Sequence, residues 1–377
     1  ISIECDISNG LPAFIVVGLG DKAVDEAKER VRAALRHSGL MFPAKRITMN
    51  LAPADVPKDG IGFDLGMAVA LLAATGHIFM DTSDKLFAGE LGLDGSVRAI
   101  RAVLSHAEAA KANGIKELFI PAANAAEAAL CSDITVYAIT NIQELYSHLT
   151  GRGQLLPYKP KRRPRAKRTR ALVDFGIIQG QARAKRALEI AAAGGHNVLM
   201  SGPPGTGKTM LARALAGILP PMSFKELVEV NQVHSAAGLT TGGLIMSRPF
   251  RNPHHTASAI SLIGGGSIPR PGEISLSHHG VLFLDELPEF PRTAIEVLRQ
   301  PMEDGQVTIS RASGTVIYPS RFMLIATQNP CPCGFATDPN HDCSCTGQQI
   351  ARYTRKISGP LLDRIDIHVE VSAVKNR

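Results

Sequence analysis

The chain has 377 residues, 45% hydrophobic and 20% charged, with a formal net charge of +7 from 41 Lys and Arg against 34 Asp and Glu. That composition excludes a disordered or fibrous chain, and at about 100–200 residues per domain the length allows two or three domains. The charge surplus is local: residues 151–170 hold nine bases and no acid, whereas residues 1–150 carry 13 bases against 18 acids and residues 171–377 carry 19 against 16. A uniformly basic protein coating nucleic acid is thereby excluded. So is a membrane-spanning helix, because the longest clean apolar run, residues 67–74, falls far short of the roughly 18–20 residues such a helix needs.

Residues 1–150 carry an α+β pattern. Short apolar runs at 15–17, 47–51 and 117–120 predict strands, and helical spacing predicts helices over 24–37, 66–74 and 101–113. The basic stretch 151–170 follows, with Pro157, Pro160 and Pro164 opposing any regular helix or central strand. It reads as a linker between residues 1–150 and residues 171–377, either a solvated spacer or a strap on phosphates through bases such as Lys161, Arg162, Arg163 and Arg165. Beyond it, helix and strand signals alternate as in a mostly parallel sheet covered on both faces.

The strand-like run 197–201 leads into Gly202-Pro203-Pro204-Gly205-Thr206-Gly207-Lys208-Thr209, and Met210 opens a stretch of helix-forming composition. Strand, glycine-rich loop and helix in that order cradle a nucleoside triphosphate. Backbone N–H groups and the helix N-terminus face the phosphates, Lys208 reaches the β- and γ-oxygens, and Thr209 holds Mg²⁺. Downstream, Val281-Leu282-Phe283-Leu284 delivers Asp285 and Glu286 to a sheet edge, Asp285 suited to the Mg²⁺ of ATP and Glu286 to polarising the attacking water. A third strand over 322–327 ends near Asn329, a neutral amide able to contact the γ-phosphate or the water. Arg364, between Asp363 and Asp366, is either an internal ion pair or an arginine finger for a neighbouring copy.

Six cysteines include four within fifteen residues, Cys331, Cys333, Cys343 and Cys345. This is a local site rather than a disulfide framework, and it favours a reducing cytoplasmic setting. Structural Zn²⁺, free thiols and a redox pair all remain open, since C-x-C is tighter than the usual C-x₂₋₄-C. The pairs His254-His255 and His278-His279 lie in a Gly/Ser/His-rich stretch, 242–279, and sequence offers them no third metal ligand. Residues 306–318 predict a hairpin with Arg311 near its tip.

Together these residues resemble the AAA+ ATPases, with Ile177 and Ile178 beside Gly180-Gln181 matching the adenine-side segment. The runs Arg248-Pro249-Phe250-Arg251-Asn252-Pro253-His254-His255, Asn329-Pro330-Cys331-Pro332-Cys333-Gly334 and Gly359-Pro360-Leu361-Leu362-Asp363-Arg364 resemble the magnesium-chelatase-like branch, and within it the ComM/YifB competence-related group. The resemblance implies an AAA+ domain over 171–377, with its helical lid expected beyond Arg377. It further implies a cytoplasmic homo-hexameric ATPase, a DNA helicase that promotes branch migration, with Arg311 facing a DNA-bearing pore.

Residues 1–150 resemble a Lon-protease-like, S5-type domain through Lys58-Asp59-Gly60-Ile61-Gly62-Phe63-Asp64-Leu65. Gly62 stands at the nucleophile position and the lysine position falls near Leu104–Ser105, so no Ser-Lys dyad is expected, which opposes a protease. The alternatives are a magnesium-chelatase ATPase subunit acting on porphyrin and an ATP-gated scaffold.

Overall fold

The computed structural model describes residues 1–20, 22–56, 58, 62–160, 164–167, 173–240, 243–266, 269–311 and 314–372, with Arg311 and Gly314 described by backbone alone. Two compact units emerge, one of Ile1–Arg163 with Gly238–Leu244, the other of Pro164–Ala237 with Ile245–Arg377. No described helix is long and apolar enough to cross a membrane.

In the first unit, Arg46–Ala52 is the centre of a three-stranded sheet, antiparallel to Ser2–Ser8 and parallel to Ala13–Val17. The helix Lys22–His37 buries Val24, Ala27, Val31, Ala34 and Leu35, a single stripe at helical spacing, and leaves Lys and Arg on its outer face. The helix Asp64–Ala74 is apolar almost all round and accordingly buried along most of its length. A second sheet, all parallel, runs Lys85–Phe87, Glu117–Pro121, Thr135–Ile139. Three of these strands match the sequence expectation, and Ser2–Ser8, Lys85–Phe87 and Thr135–Ile139 carried no expected strand.

Among the described linker residues, 151–160 and 164–167, there is neither helix nor strand, as the prolines require, and Arg152, Lys159 and Arg165 are exposed. Lys161, Arg162 and Arg163 lie outside the described residues.

The second unit is built on a five-stranded parallel sheet in the order Phe250–Arg251, Val281–Leu284, Met323–Gln328, Val198–Ser201, Ile367–Glu370. Val281, Leu282, Phe283 and Leu284 are all fully buried, as a strand covered on both faces must be. Leu188, Leu211 and Leu215 pack against one face, and Leu262, Ile274, Leu298 and Leu361 against the other. The register sets Leu284 opposite Ala326 and Gln328 opposite Ser201. Val198–Ser201 and Met323–Gln328 therefore end level, Val281–Leu284 ends two residues earlier, and the residues following all three share one edge of the sheet, where open α/β sheets bind ligands.

The expected hairpin forms from Gln306–Arg311 and Gly314–Pro319, antiparallel, with Arg311 opposite Gly314. Among its described residues, the stretch 242–279 carries regular structure. It contains the helices Ala259–Ile263 and Glu273–Leu276, anchored by the fully buried Leu262 and Ile274.

Candidate nucleotide site and cysteine cluster

The strand Val198–Ser201 runs into the loop 202–207, and the helix Lys208–Ile218 begins directly behind it. Gly205 and Gly207 take φ of +76° and +88°, a backbone that curls the loop over the helix N-terminus and that side chains resist. Lys208 is 8% exposed and its Nζ donates to Gly202 O at 2.7 Å, Pro203 O at 2.8 Å and Asn329 Oδ1 at 3.2 Å. Burial lowers its pKa below the ordinary lysine value, while Asp285 and Glu286 pull the other way. A buried ammonium with three acceptors is a cation presented to the loop interior, where phosphate oxygens could replace the carbonyls.

Thr209 Oγ1 donates to Asp285 Oδ2 at 2.8 Å. Adjacent ligands of an octahedral Mg²⁺ at about 2.0–2.1 Å are about 2.9 Å apart, so this hydroxyl and carboxylate already hold the spacing of two Mg²⁺ ligands. Glu286 follows in the left-handed region, φ +54° and ψ +52°. A non-glycine residue there costs about 1–2 kcal/mol and persists only where neighbours hold it. Thr327 does so: its Oγ1 accepts from Glu286 N at 2.8 Å and donates to Asp285 Oδ1 at 2.6 Å. No sequence signal gave Thr327 this role, whereas Gln181 belongs to the expected adenine-side segment, and its side chain donates to Thr206 O at 3.2 Å and Ser372 O at 2.7 Å.

The adenine-side pair divides. Ile178 is buried in the core and Ile177 is 70% exposed, so only Ile177 offers its side chain to a ligand. Met210, next to Thr209, is half-exposed on the helix. Arg364 is far from this loop. Its carbonyl accepts from Asn197 Nδ2 at 2.9 Å, and its guanidinium donates to Pro360 O at 2.6 Å and Glu303 Oε2 at 2.5 Å. The ion pair considered from sequence is therefore made with Glu303 and not with Asp363 or Asp366; Asp366 instead accepts the Asn197 backbone N–H.

The four cysteine sulfurs converge within 4.8 Å of one another. Cys331, fully buried, lies 3.3 Å from Cys333 and 3.7 Å from Cys343, and Cys333 lies 3.6 Å from Cys343. Four sulfurs about 2.3 Å from a central Zn²⁺ would stand about 3.8 Å apart, so the cluster is close to that tetrahedron. Hydrogen bonds, chiefly from the Phe335 backbone, pull the Cys333 thiol down to about 5. The loop also meets the nucleotide loop: a Cβ on Gly334 would stand 2.7 Å from the Pro204 ring, and the Tyr353 hydroxyl takes a backbone hydrogen bond of Asn329.

Glu229 supplies the third group that His278 and His279 lacked in sequence, at 3.2 Å and 2.6 Å from their Nε2 atoms. Hydrogen bonding opposes a metal there. His278 Nδ1 accepts the Arg321 backbone N–H at 3.0 Å, so in the neutral ring Nε2 carries the proton and has no lone pair to give. Burial pushes His278 down to about 4, keeping it neutral. The Arg311 side chain lies outside the described residues.

The family model for magnesium chelatase, subunit ChlI, matches residues 174–377, and a second model, subunit ChlI of Mg-chelatase, matches residues 3–124. The chain is 46% identical to the YifB protein of Salmonella typhimurium over 98% of its own length and 72% of that protein. It is also 46% identical to the competence protein ComM of Haemophilus influenzae, over 98% of the chain and 73% of the relative. It is 27% identical to the magnesium-chelatase 38 kDa subunit of Rhodobacter capsulatus over 43% of the chain and 52% of that subunit.

Proposed function

The chain belongs to the ComM/YifB family of magnesium-chelatase-like proteins, and on that premise we propose that it hydrolyses ATP at residues 202–209 and couples this, as a ring of copies, to movement on DNA. One observation carries the ATPase reading: Lys208, the Thr209–Asp285 pair, Glu286 and Asn329 meet at a single sheet edge behind a phosphate-shaped loop.

Lys208 turns from the Gly202 and Pro203 carbonyls to the β- and γ-phosphates, and Thr209 and Asp285 hold Mg²⁺ between them. A Mg²⁺ held by Thr209 and Asp285 would supply charge neutralisation to the triphosphate. Glu286 takes a proton from the attacking water, and Asn329, already 3.2 Å from Lys208 Nζ, orients the γ-phosphate without adding negative charge. Arg364 acts on the neighbouring copy's nucleotide. Cys331, Cys333, Cys343 and Cys345 hold a structural Zn²⁺ that fixes the loop behind Asn329.

The DNA part rests on the relative named a competence protein and on the nine bases of 151–170. Lys161, Arg162, Arg163 and Arg165 contact phosphates, Arg311 lines the ring's channel, and the activity is helicase-driven branch migration. The Ile1–Arg163 unit serves assembly or DNA guidance as a Lon-protease-like fold without a dyad, Gly62 having no side chain and Leu104 being buried. The second reading, a chelatase motor, draws on the match of both parts of the chain to chelatase subunit models.

ATP turnover measured with and without forked DNA separates them. Stimulation by DNA, abolished by Glu286→Gln while ATP binding persists, supports the DNA motor. Turnover indifferent to DNA but responsive to a porphyrin substrate supports the chelatase, and turnover unchanged in Glu286→Gln removes the site assignment itself.

A further inference from the structure

Both acids of the nucleotide site depend on one buried hydroxyl. Thr327 Oγ1 has one proton, donated to Asp285 Oδ1 at 2.6 Å, and its lone pair receives the Glu286 backbone N–H at 2.8 Å. The hydroxyl is thereby fixed in direction at both ends, and Thr327 is fully buried, so water cannot replace it. Its place follows from the sheet: with Leu284 opposite Ala326, the next residue on each strand, Asp285 and Thr327, stand level.

The other Asp285 oxygen takes the Thr209 hydroxyl at 2.8 Å, so the plane of this carboxylate is set by two hydroxyls. On the far side of Glu286, its carbonyl accepts Glu289 N–H at 2.8 Å. The left-handed turn that aims the Glu286 side chain is thus pinned by Thr327 at its N–H and by Glu289 at its carbonyl.

We propose that Thr327 is a positioning residue for ATP hydrolysis, coupling the Mg²⁺-binding carboxylate of Asp285 to the direction of Glu286 through one shared hydroxyl; this rests on the ATPase reading above. Thr327 touches neither nucleotide nor water. Its effect falls on turnover, because a displaced Glu286 leaves phosphate contacts at Lys208 intact while the water loses its base.

The experiment compares wild type, Thr327→Val, Thr327→Ser and Glu286→Gln by steady-state ATP hydrolysis across Mg²⁺ concentration, by affinity for a fluorescent non-hydrolysable ATP analogue, and by thermal melting. Valine keeps the volume and removes the hydroxyl; serine keeps the hydroxyl. In Thr327→Val, kcat falls about 30-fold or more, Mg²⁺ half-saturation rises and analogue affinity stays within about 3-fold, while Thr327→Ser recovers most of the turnover. The proposal is overturned if Thr327→Val keeps kcat within about 3-fold of wild type while Glu286→Gln is inactive. It is overturned equally if Thr327→Ser loses as much as Thr327→Val, or if the loss is matched by unfolded protein or by lost analogue binding, since these mark a merely structural hydroxyl. If wild type and Glu286→Gln turn over alike, the ATPase reading fails first and takes this assignment with it.

Discussion

Asn197 donates its side-chain amide to the Arg364 carbonyl at 2.9 Å, which fixes Arg364 at the entry of the strand whose far end carries the nucleotide loop. Four residues of strand separate the two, about 13 Å at 3.3 Å per residue, and the guanidinium is tied to Glu303 on the entry side. Arg364 therefore does not fold back onto its own Lys208, and any action on ATP must be on another copy.

The expected consequence is complementation. Arg364→Ala and Glu286→Gln each lose DNA-stimulated hydrolysis, Arg364→Ala by about 10³-fold. Mixed in equal amounts, they restore activity at the interfaces that pair an intact Glu286 with an intact Arg364, roughly a quarter of all interfaces in randomly assembled rings. ATP turnover across mixing ratios checks this. Two variants that co-assemble yet remain inactive at every ratio remove Arg364 from the neighbour's site.

For the cysteine cluster, the outcome is about one zinc per chain by elemental analysis of protein purified without chelator, and near none in Cys331→Ser. Because Gly334 abuts Pro204 and Asn329 contacts Lys208, the variant also binds ATP more weakly, besides melting earlier. A wild-type content below about 0.2 zinc per chain discards the metal, and unchanged ATP affinity in a zinc-free variant discards the link.

What the sequence made legible is what is encoded in consecutive residues. Lys208, Thr209, Asp285 and Glu286 are recognisable because each follows a buried strand at fixed spacing, and Asn329 because it directly follows another, Met323–Gln328. Thr327 and Glu303 were not legible. Thr327 matters only because Met323–Gln328 is inserted between the two strands that carry the loop and the acids, with a register no periodicity reveals. Glu303 meets Arg364 across 61 residues of chain, whereas the sequence offered nearer acids at Asp363 and Asp366. The capping box of Ser223 and Glu226, which starts the helix Phe224–Ala236, was written in the S-x-x-E spacing and simply overlooked.

His278 gives a pH dependence whose sign is fixed. An unfolded histidine takes a proton near pH 6.5, whereas burial, aided by the His279 charge and opposed by Glu229, holds His278 down to about 4. Between these values the unfolded state binds more protons, so this group's contribution to stability is full above about pH 6.5 and falls away as the pH drops toward about 4. His278→Asn keeps an acceptor for the Arg321 N–H and does not titrate. Between pH 7 and pH 5 wild type should lose about 2 kcal/mol more stability than this variant, read by thermal melting at each pH. Parallel losses in the two proteins would show that His278 titrates normally.

The bases of 159–170 give the last prediction. Eight of the nine basic residues of the linker lie in this stretch, and among the described ones Lys159 and Arg165 are exposed. Each base that meets a duplex phosphate adds about −0.9 to the slope of log affinity against log salt concentration. Replacing all eight by glutamine keeps the length of the connection and removes only its charge. DNA affinity should fall and the salt slope flatten by several units, with the melting temperature unchanged, as measured by fluorescence anisotropy between about 50 and 200 mM salt. Affinity and slope identical to wild type would leave the segment a spacer and move the DNA contacts to the motor unit.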